Sequence, residues 1–408
     1  MQVAAILDAG APAKDAPFGA AQKRIVLLCA LVAMLDGFDT QAIAFVAPVI
    51  AAQWGLQTAA FGPVFGAGLA GLMVGALVFG PAADRWGRRK VVIGTTALFG
   101  LLTLLTAWAS SMPELLALRF LTGLGLGGAM PNIIALTAES APQRSRATMV
   151  SLMFCGFPLG AVFGGLIAAK MIPAAGWASV FWLGGILPLL LLPALAAWLP
   201  AADGGRPTVA AQGAPVARLF AHEHRTRTLL LWVVFFMNLL LLYFLVNWLP
   251  SLLRQAGIAL DKAIIATALL NLGGIVGALL FARFIDRLGA RRVLPLAYIA
   301  AAICTVAIGR STGAGFAALM TMVVFTGLAV IGAQISINAL AAGSYPADMR
   351  STGVGWALGI GRAGSIVGPV VGGMLLATGL PTEQLFTIAA LPAIVAAVAV
   401  LLLPRAPR

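Results

Sequence analysis

The phrase DRWGRRK occupies residues 84–90, and DRLGARR occupies residues 286–292. Each begins with an aspartate, has a glycine in the middle, ends in cations, and sits between long apolar segments. A second phrase behaves the same way. SAPQRSRAT at 140–148 is answered by SYPADMRST at 344–352, with Ser140, Pro142, Arg146 and Thr148 matching Ser344, Pro346, Arg350 and Thr352. The offsets are 202 and 204 residues in a chain of 408. The sequence therefore reads as one unit written twice.

The surroundings say what kind of unit it is. Of all residues, 61% are hydrophobic and only 10% charged, and the mean hydropathy is +1.01, far above the composition of a soluble domain. A helix needs roughly 20 apolar residues to cross a hydrocarbon core of ~30 Å. Twelve such runs are predicted, over 25–50, 59–80, 91–110, 114–137, 147–170, 178–199, 228–253, 262–284, 292–310, 314–338, 351–377 and 382–403. The longest internal polar stretch, 200–227, divides them six and six. The expected architecture is an all-α membrane protein with a bundle at 1–199, a cytoplasmic linker at 200–227 and a second bundle at 228–408. Paired six-helix repeats are the build of secondary transporters, whose halves rock about a site near the bilayer midplane.

A net charge of +13 would suggest nucleic acid in a soluble chain, but the location of the cations argues otherwise. With both termini cytoplasmic, twenty basic residues fall in inner segments and four, Lys170, Arg254, Lys262 and Arg310, in outer loops. That is a strong positive-inside bias and orients the chain. The partners expected are the lipid bilayer and a small solute, with no nucleic acid. The first apolar run is too long for a signal peptide. Cys29, Cys155 and Cys304 fall in separate helices and read as packing residues.

Four charges lie where a membrane disfavours them. Asp36 and Asp39 interrupt the run MLDGFDTQAIAFVAP at 34–48. Twelve residues at 1.5 Å each place Asp36 about 18 Å beyond Arg24, near the midplane. A charge there costs at least ~2.5 kcal/mol. At i, i+3 the two carboxylates share roughly one helix face, and burial with mutual repulsion favours a proton on one of them. They are candidate proton carriers; the plainer alternative is a helix-interface hydrogen bond with a kink at Gly37. Arg119 and Arg362 are the opposite charges, and neither sheds its proton. Arg119 is expected to face an aspartate of the first helix. Arg362 has no membrane acid in its own half, which makes it a candidate anion site, with backbone carbonyls or Gln334 as the bland alternative holders.

A carboxylate bound at Arg362 would need stacking surfaces and polar partners. Phe38, Phe154, Phe157, Tyr243, Trp356, Asn238, Asn247, Asn271, Gln334 and Asn338 are the candidates, though each is individually more common as helix packing. The polar loops carry a candidate cytoplasmic gate: Asp84, Arg85, Arg88 and Arg89 in the first copy, Asp286, Arg287 and Arg291 in the second, with Arg350. Glu139 with Arg144 and Arg146 is a possible companion latch. Glycines at 156, 160, 164 and 165, and at 361, 364, 368, 372 and 373, form stripes suited to close helix contact. No nucleotide loop, catalytic triad or CxxC is present, and HEH at 222–224 is a poor metal site. No enzyme, metal or cofactor is expected.

These phrases resemble a known family. GPAADRWGRRK at 80–90 is similar to the signature between helices 2 and 3 of the major facilitator superfamily, and its second copy sits between helices 8 and 9. RFLTGLGLGG in helix 4 and GFPLGAVFGG in helix 5 are similar to two further motifs of that superfamily. DGFDTQAIAFVAP resembles the first-helix signature of its aromatic acid and proton symporters. The resemblance implies a proton-coupled permease of the bacterial inner membrane that imports an aromatic carboxylate of the benzoate, 4-hydroxybenzoate or protocatechuate type; a monomer is expected. It implies proton-coupling roles for Asp36, Asp39, Arg119 and Glu139, substrate contacts at Asp39, Arg119 and Arg362, and gating by Asp84, Arg88, Asp286 and Arg291. Ala290 departs from the pattern, replacing a basic residue of the first copy, which implies a weaker second gate. A symporter of another organic acid, an exporter, or a membrane sensor without turnover are the alternative readings.

Overall fold

A computed structural model describes residues 19–142, 146–200, 216–313, 315–346 and 349–404. Among these residues, twelve helical spans are long and apolar enough to cross a membrane. They are α1 (Ala20–Gln53), α2 (Gly62–Trp86), α3 (Arg88–Thr106), α4 (Met112–Ser140), α5, α6 (Ala178–Trp198), α7 (His222–Gln255), α8 (Leu260–Leu288), α9 (Ala290–Ser311), α10 (Phe316–Ser344), α11 (Arg350–Ala377) and α12. Two of them are broken. α5 runs Arg146–Phe154 and then Gly156–Ala175, and α12 runs Thr382–Ala389 and then Leu391–Leu402. Pro158 and Pro392 follow the breaks closely; each lacks the N–H for the preceding turn, and its ring displaces the carbonyl four residues back. Helix α7 starts at His222, inside the stretch expected to be linker, because the polar first turn HEHRTR continues the apolar helix beyond its hydrophobic run.

The repeated phrases that opened the sequence reading are tight corners. Gly87 closes α2 and opens α3 with φ +87°, and Gly289 does the same between α8 and α9 with φ +82°. Residues with a Cβ avoid that region, so a glycine at the same place in both copies lets a helix reverse within one residue.

The packing repeats as well. In the first half α1 lies on α5, α2 on α4, and α3 on α4 and α6; in the second, α7 lies on α11, α8 on α10, and α9 on α10 and α12. Glycine makes the inner pairs close. A Cβ at Gly156 or Gly160 would overlap carbonyls of α1, and one at Gly364 or Gly368 would overlap carbonyls of α7. Without a hydrophobic force between helices in lipid, such backbone approach is what holds them. The outside is apolar: Leu77, Leu190, Leu279, Leu296 and Met374 are each more than 65% exposed, as residues facing acyl chains are.

The halves meet unevenly. One large hydrophobic core spans both, joining Phe45, Phe61 and Phe65 of the first half to Phe244, Trp248 and Leu270 of the second. It occupies the end carrying the turns at 54–57 and 256–259. Toward the other end the core splits in two, one part around Val32, Ile133 and Leu195 and the other around Leu231, Tyr298 and Val400. The molecule is sealed between its halves at one end, and each half packs on itself at the other.

Candidate functional site

The α1 backbone carries both acids into the protein, where each is only 1% exposed, and their surroundings differ. Asp39 is ion-paired: Arg119 Nη1 of α4 donates to its Oδ2 at 3.3 Å. Thr103 of α3 donates its hydroxyl to the other oxygen at 2.5 Å. Three residues along the same face of α3, Thr106 accepts from Arg119 Nη2 at 3.0 Å, and Thr122, one turn beyond Arg119 in α4, accepts at 3.2 Å. The guanidinium lies 5.0 Å from the Phe181 ring centroid, a cation–π contact from α6. Its Nε–H has no hydrogen-bond partner among the described residues. Charge is thus met by charge, and three hydroxyls and an aromatic face complete the solvation that the membrane withholds.

Asp36 has a thinner environment. Thr40, one turn along α1, donates to its Oδ1 at 3.1 Å, and the carboxyl lies within electrostatic reach of both Asp39 and Arg362. Arg362 is half-buried on α11; its backbone carbonyl accepts from Ser365. Asp36 of the first half and Arg362 of the second therefore face the same seam.

Asp39 and Arg119 line a narrow cleft, together with Phe65, Leu69 and Asn247. Asn247 comes from α7, so both halves contribute. Its Nδ2 donates to the Tyr243 carbonyl at 2.8 Å, which fixes the amide against the cleft wall. Tyr243 packs with Leu69 and Leu239 at the same seam. Asn238 and Gln334 are hydrogen-bonded to each other between α7 and α10.

Other candidates stand apart. Phe38 is wedged against the places where Gly164 of α5 and Gly184 of α6 lack a Cβ. Phe157 is half-buried, and its carbonyl fills the gap left by Gly37. Phe154 and Trp356 are 41% and 43% exposed, Trp356 stacking on Trp232 with centroids 5.9 Å apart. Asn338 is exposed, with Nδ2 3.4 Å from the Ile335 carbonyl. Asn271 is bonded to Gln41. Lacking charge, these residues follow helix phase, and the phase turned them to packing or outer faces.

At the polar loops, Arg88 pairs with Glu139 and Arg89 donates to the Ala196 carbonyl, so both contacts stay inside the first half. Arg85 and Arg287 are exposed, and Arg291 is half-exposed. Arg144 lies outside the described residues, as do the side chains of Asp84, Arg146, Asp286 and Arg350. The residues that sequence reasoning missed are Thr103, Thr106 and Thr122. Their signal was present in part, since Thr122 stands three residues after Arg119 and Thr106 three after Thr103, the spacing of one helix face.

With this geometry established, comparison with known proteins is specific. The pattern of the Major Facilitator Superfamily matches residues 29–357 and, overlapping, 257–408. The chain is 42% identical to the gallate transporter of Pseudomonas putida over 94% of this chain and 92% of that one. It is 40% identical to the 4-hydroxybenzoate transporter PcaK of the same organism, over 94% and 93%. Among solved structures, the inward-facing, occupied form of a bacterial homologue of the human lysosomal transporter Spinster superposes with a TM-score of 0.78, at 16% identity, over 95% of this chain and 97% of that one. Fold, repeat and sequence agree: the chain is a multi-pass membrane transporter, not an enzyme, and belongs to the major facilitator superfamily, in its aromatic acid permease branch.

Proposed function

We propose that this transporter imports an aromatic monocarboxylate together with protons across the bacterial inner membrane, working as a monomer by alternating access. The observation that carries the reading is the buried Asp39–Arg119 pair lining a cleft to which both halves contribute. One proton on Asp39 cancels the carboxylate charge and leaves a guanidinium with only hydroxyls and an aromatic ring around it. A cation so exposed in low dielectric needs an anion, and the substrate carboxylate is one. Protonation and substrate binding then favour each other. The names of the relatives, gallate and 4-hydroxybenzoate, share that chemistry: one carboxylate on a hydroxylated ring.

Arg362 supplies the second anchor, from the opposite half, in the bidentate way arginine favours. Asn238, Tyr243, Asn247 and Gln334 are placed near the seam to read ring substituents. Asp36, between Asp39 and Arg362 in electrostatic terms, is the second proton position. A proton moving with a monoanion carries no net charge, so the pH gradient alone drives it, at roughly 1.4 kcal/mol per pH unit. A second proton adds about 2.3 kcal/mol per 100 mV of membrane potential.

The excess of cations at 84–90, 283–292 and both termini puts those segments in the cytoplasm. The sealed end is then the outer one and the structure faces inward. In that state Arg88 holds Glu139 of its own half; outward opening would bring the loops at 84–90 and 286–292, with Arg350, against their opposite halves as the cytoplasmic gate. Purified protein in proteoliposomes, given labelled 4-hydroxybenzoate and an acidic exterior, should accumulate it above equilibrium and release it on adding a protonophore. Absence of gradient-driven uptake for every benzoate tried overturns the proposal.

A further inference from the structure

The sealed end contains a contact that the transport reading above does not use. Gln41 and Asn271 exchange two hydrogen bonds, Gln41 Nε2 to Asn271 Oδ1 at 3.1 Å and Asn271 Nδ2 to Gln41 Oε1 at 3.0 Å. Gln41 lies on α1 of the first half and Asn271 on α8 of the second, and they are 1% and 3% exposed. Asn271 Nδ2 also donates to the Thr267 carbonyl at 2.9 Å, so its amide is oriented before the partner arrives.

The surroundings belong to the seam. Phe65 of α2 meets Trp248 of α7 edge-on with centroids 4.9 Å apart, and Trp248 Nε1 donates to the Pro369 carbonyl at 2.9 Å. A Cβ at Gly62 would stand 3.1 Å from that same carbonyl, and one at Gly165 would stand 3.2 Å from Ala268 Cβ. The hydrogen bond of Trp248 lies within the second half; the contacts that cross the seam here are apolar or shape-driven and would slide apart without preference for register. The amide pair differs, because two reciprocal bonds hold only at one mutual position of α1 and α8.

We infer that Gln41 and Asn271 form the latch that holds the outer end of the transporter shut, and so set the ratio of inward-facing to outward-facing molecules. The chemistry suits a joint that must open in every cycle. Both groups are neutral, so parting leaves no bare charge, and water entering the outer vestibule replaces both bonds. A salt bridge in this place would be far harder to part. Two bonds of ordinary net strength correspond to about a tenfold bias toward the closed outer end. Gln41 lies two residues beyond Asp39 and next to Thr40, which holds Asp36. Displacement of α1 at the acids is therefore transmitted directly to the latch.

The test needs no substrate, so its outcome is independent of which solute is carried. Hydrogen–deuterium exchange is followed by mass spectrometry on the full-length protein in nanodiscs, for wild type, Gln41→Met, Asn271→Leu and the double variant. Peptides covering 54–66, 262–272 and 365–376, on the two sides of the seam, are expected to exchange about tenfold faster in each single variant. The double variant is expected to match the singles, since either substitution already removes both bonds. Unchanged exchange at those peptides overturns the inference. Additive effects of the two substitutions also overturn it, and so does acceleration that extends equally to α3 and α9, which would show a role in the fold rather than in the seam.

Discussion

At the scale of single residues, the site turns on an ion pair that has left water and kept its charge. Arg119 gives Asp39 one bond of its guanidinium and takes two hydroxyls with the rest. Asp39→Asn keeps the shape and removes the anion, leaving the cation buried without compensation at a cost of about 3 kcal/mol. The variant should still exchange substrate across the membrane, should lose gradient-driven accumulation, and should melt at a lower temperature. Counterflow and uptake assays with a thermal melt check this; concentrative uptake equal to wild type removes Asp39 from the proton path. Arg362→Lys keeps the charge and loses the planar fork, so a benzoate should bind about tenfold more weakly, as read by calorimetry, with the melt unchanged. The four membrane charges were legible in the sequence because charge in an apolar run is an anomaly. The threonines around Arg119 were not, because a hydroxyl in a helix can always bond its own backbone, as Thr95 and Thr305 do here.

At the scale of elements, glycine decides which helices touch. A Cβ at Gly127 would overlap the Leu72 carbonyl, and one at Gly71 the Phe120 carbonyl, so α2 and α4 are in backbone contact. The second half repeats this where Gly273 and Gly327 bring α8 against α10. Gly127→Ala should therefore separate α2 from α4 and destabilise the fold by about 1–3 kcal/mol. Gly94→Ala, on α3 with nothing within 4 Å of the added carbon, should be neutral or gain up to about 1 kcal/mol from helix propensity. Denaturation in mild detergent compares the two, and equal stability of both variants would contradict the packing argument. The stripe of α5 was readable as a packing surface from its spacing alone. Its partner, α1, was not, since the sequence shows that a face is small and does not name what lies on it. The break in α5 at Cys155 and that in α12 at Ala390 had a visible cause in Pro158 and Pro392, but other prolines, such as Pro48 and Pro188, sit inside helices that continue through them. Whether neighbours re-satisfy the freed carbonyl decides between the two outcomes.

At the scale of the whole molecule, the one shared core and the two separate ones describe a transporter closed at one end. The orientation proposed above rests on the distribution of the cations. In intact cells a membrane-impermeant maleimide should label Ala175→Cys, the last residue of α5 before the turn to α6, and should leave Arg85→Cys unlabelled until the cells are opened. The reverse pattern would place the sealed end in the cytoplasm. What the sequence determined by itself was everything that depends on distance along one chain: twelve spans from the thickness of a bilayer, two halves from a repeat, and four charges from the expense of burying them. What only the tertiary structure decided was which charge meets which. Asp39 and Arg119 are eighty residues apart, and Gln41 and Asn271 are 230 residues apart. Their meeting depends on how α1 is rotated against α4 and α8, which is set by the summed contacts of many small residues and not by any local pattern. Hydrophobic periodicity states that a helix will lie in the membrane; only close packing states which of its faces the other half will touch.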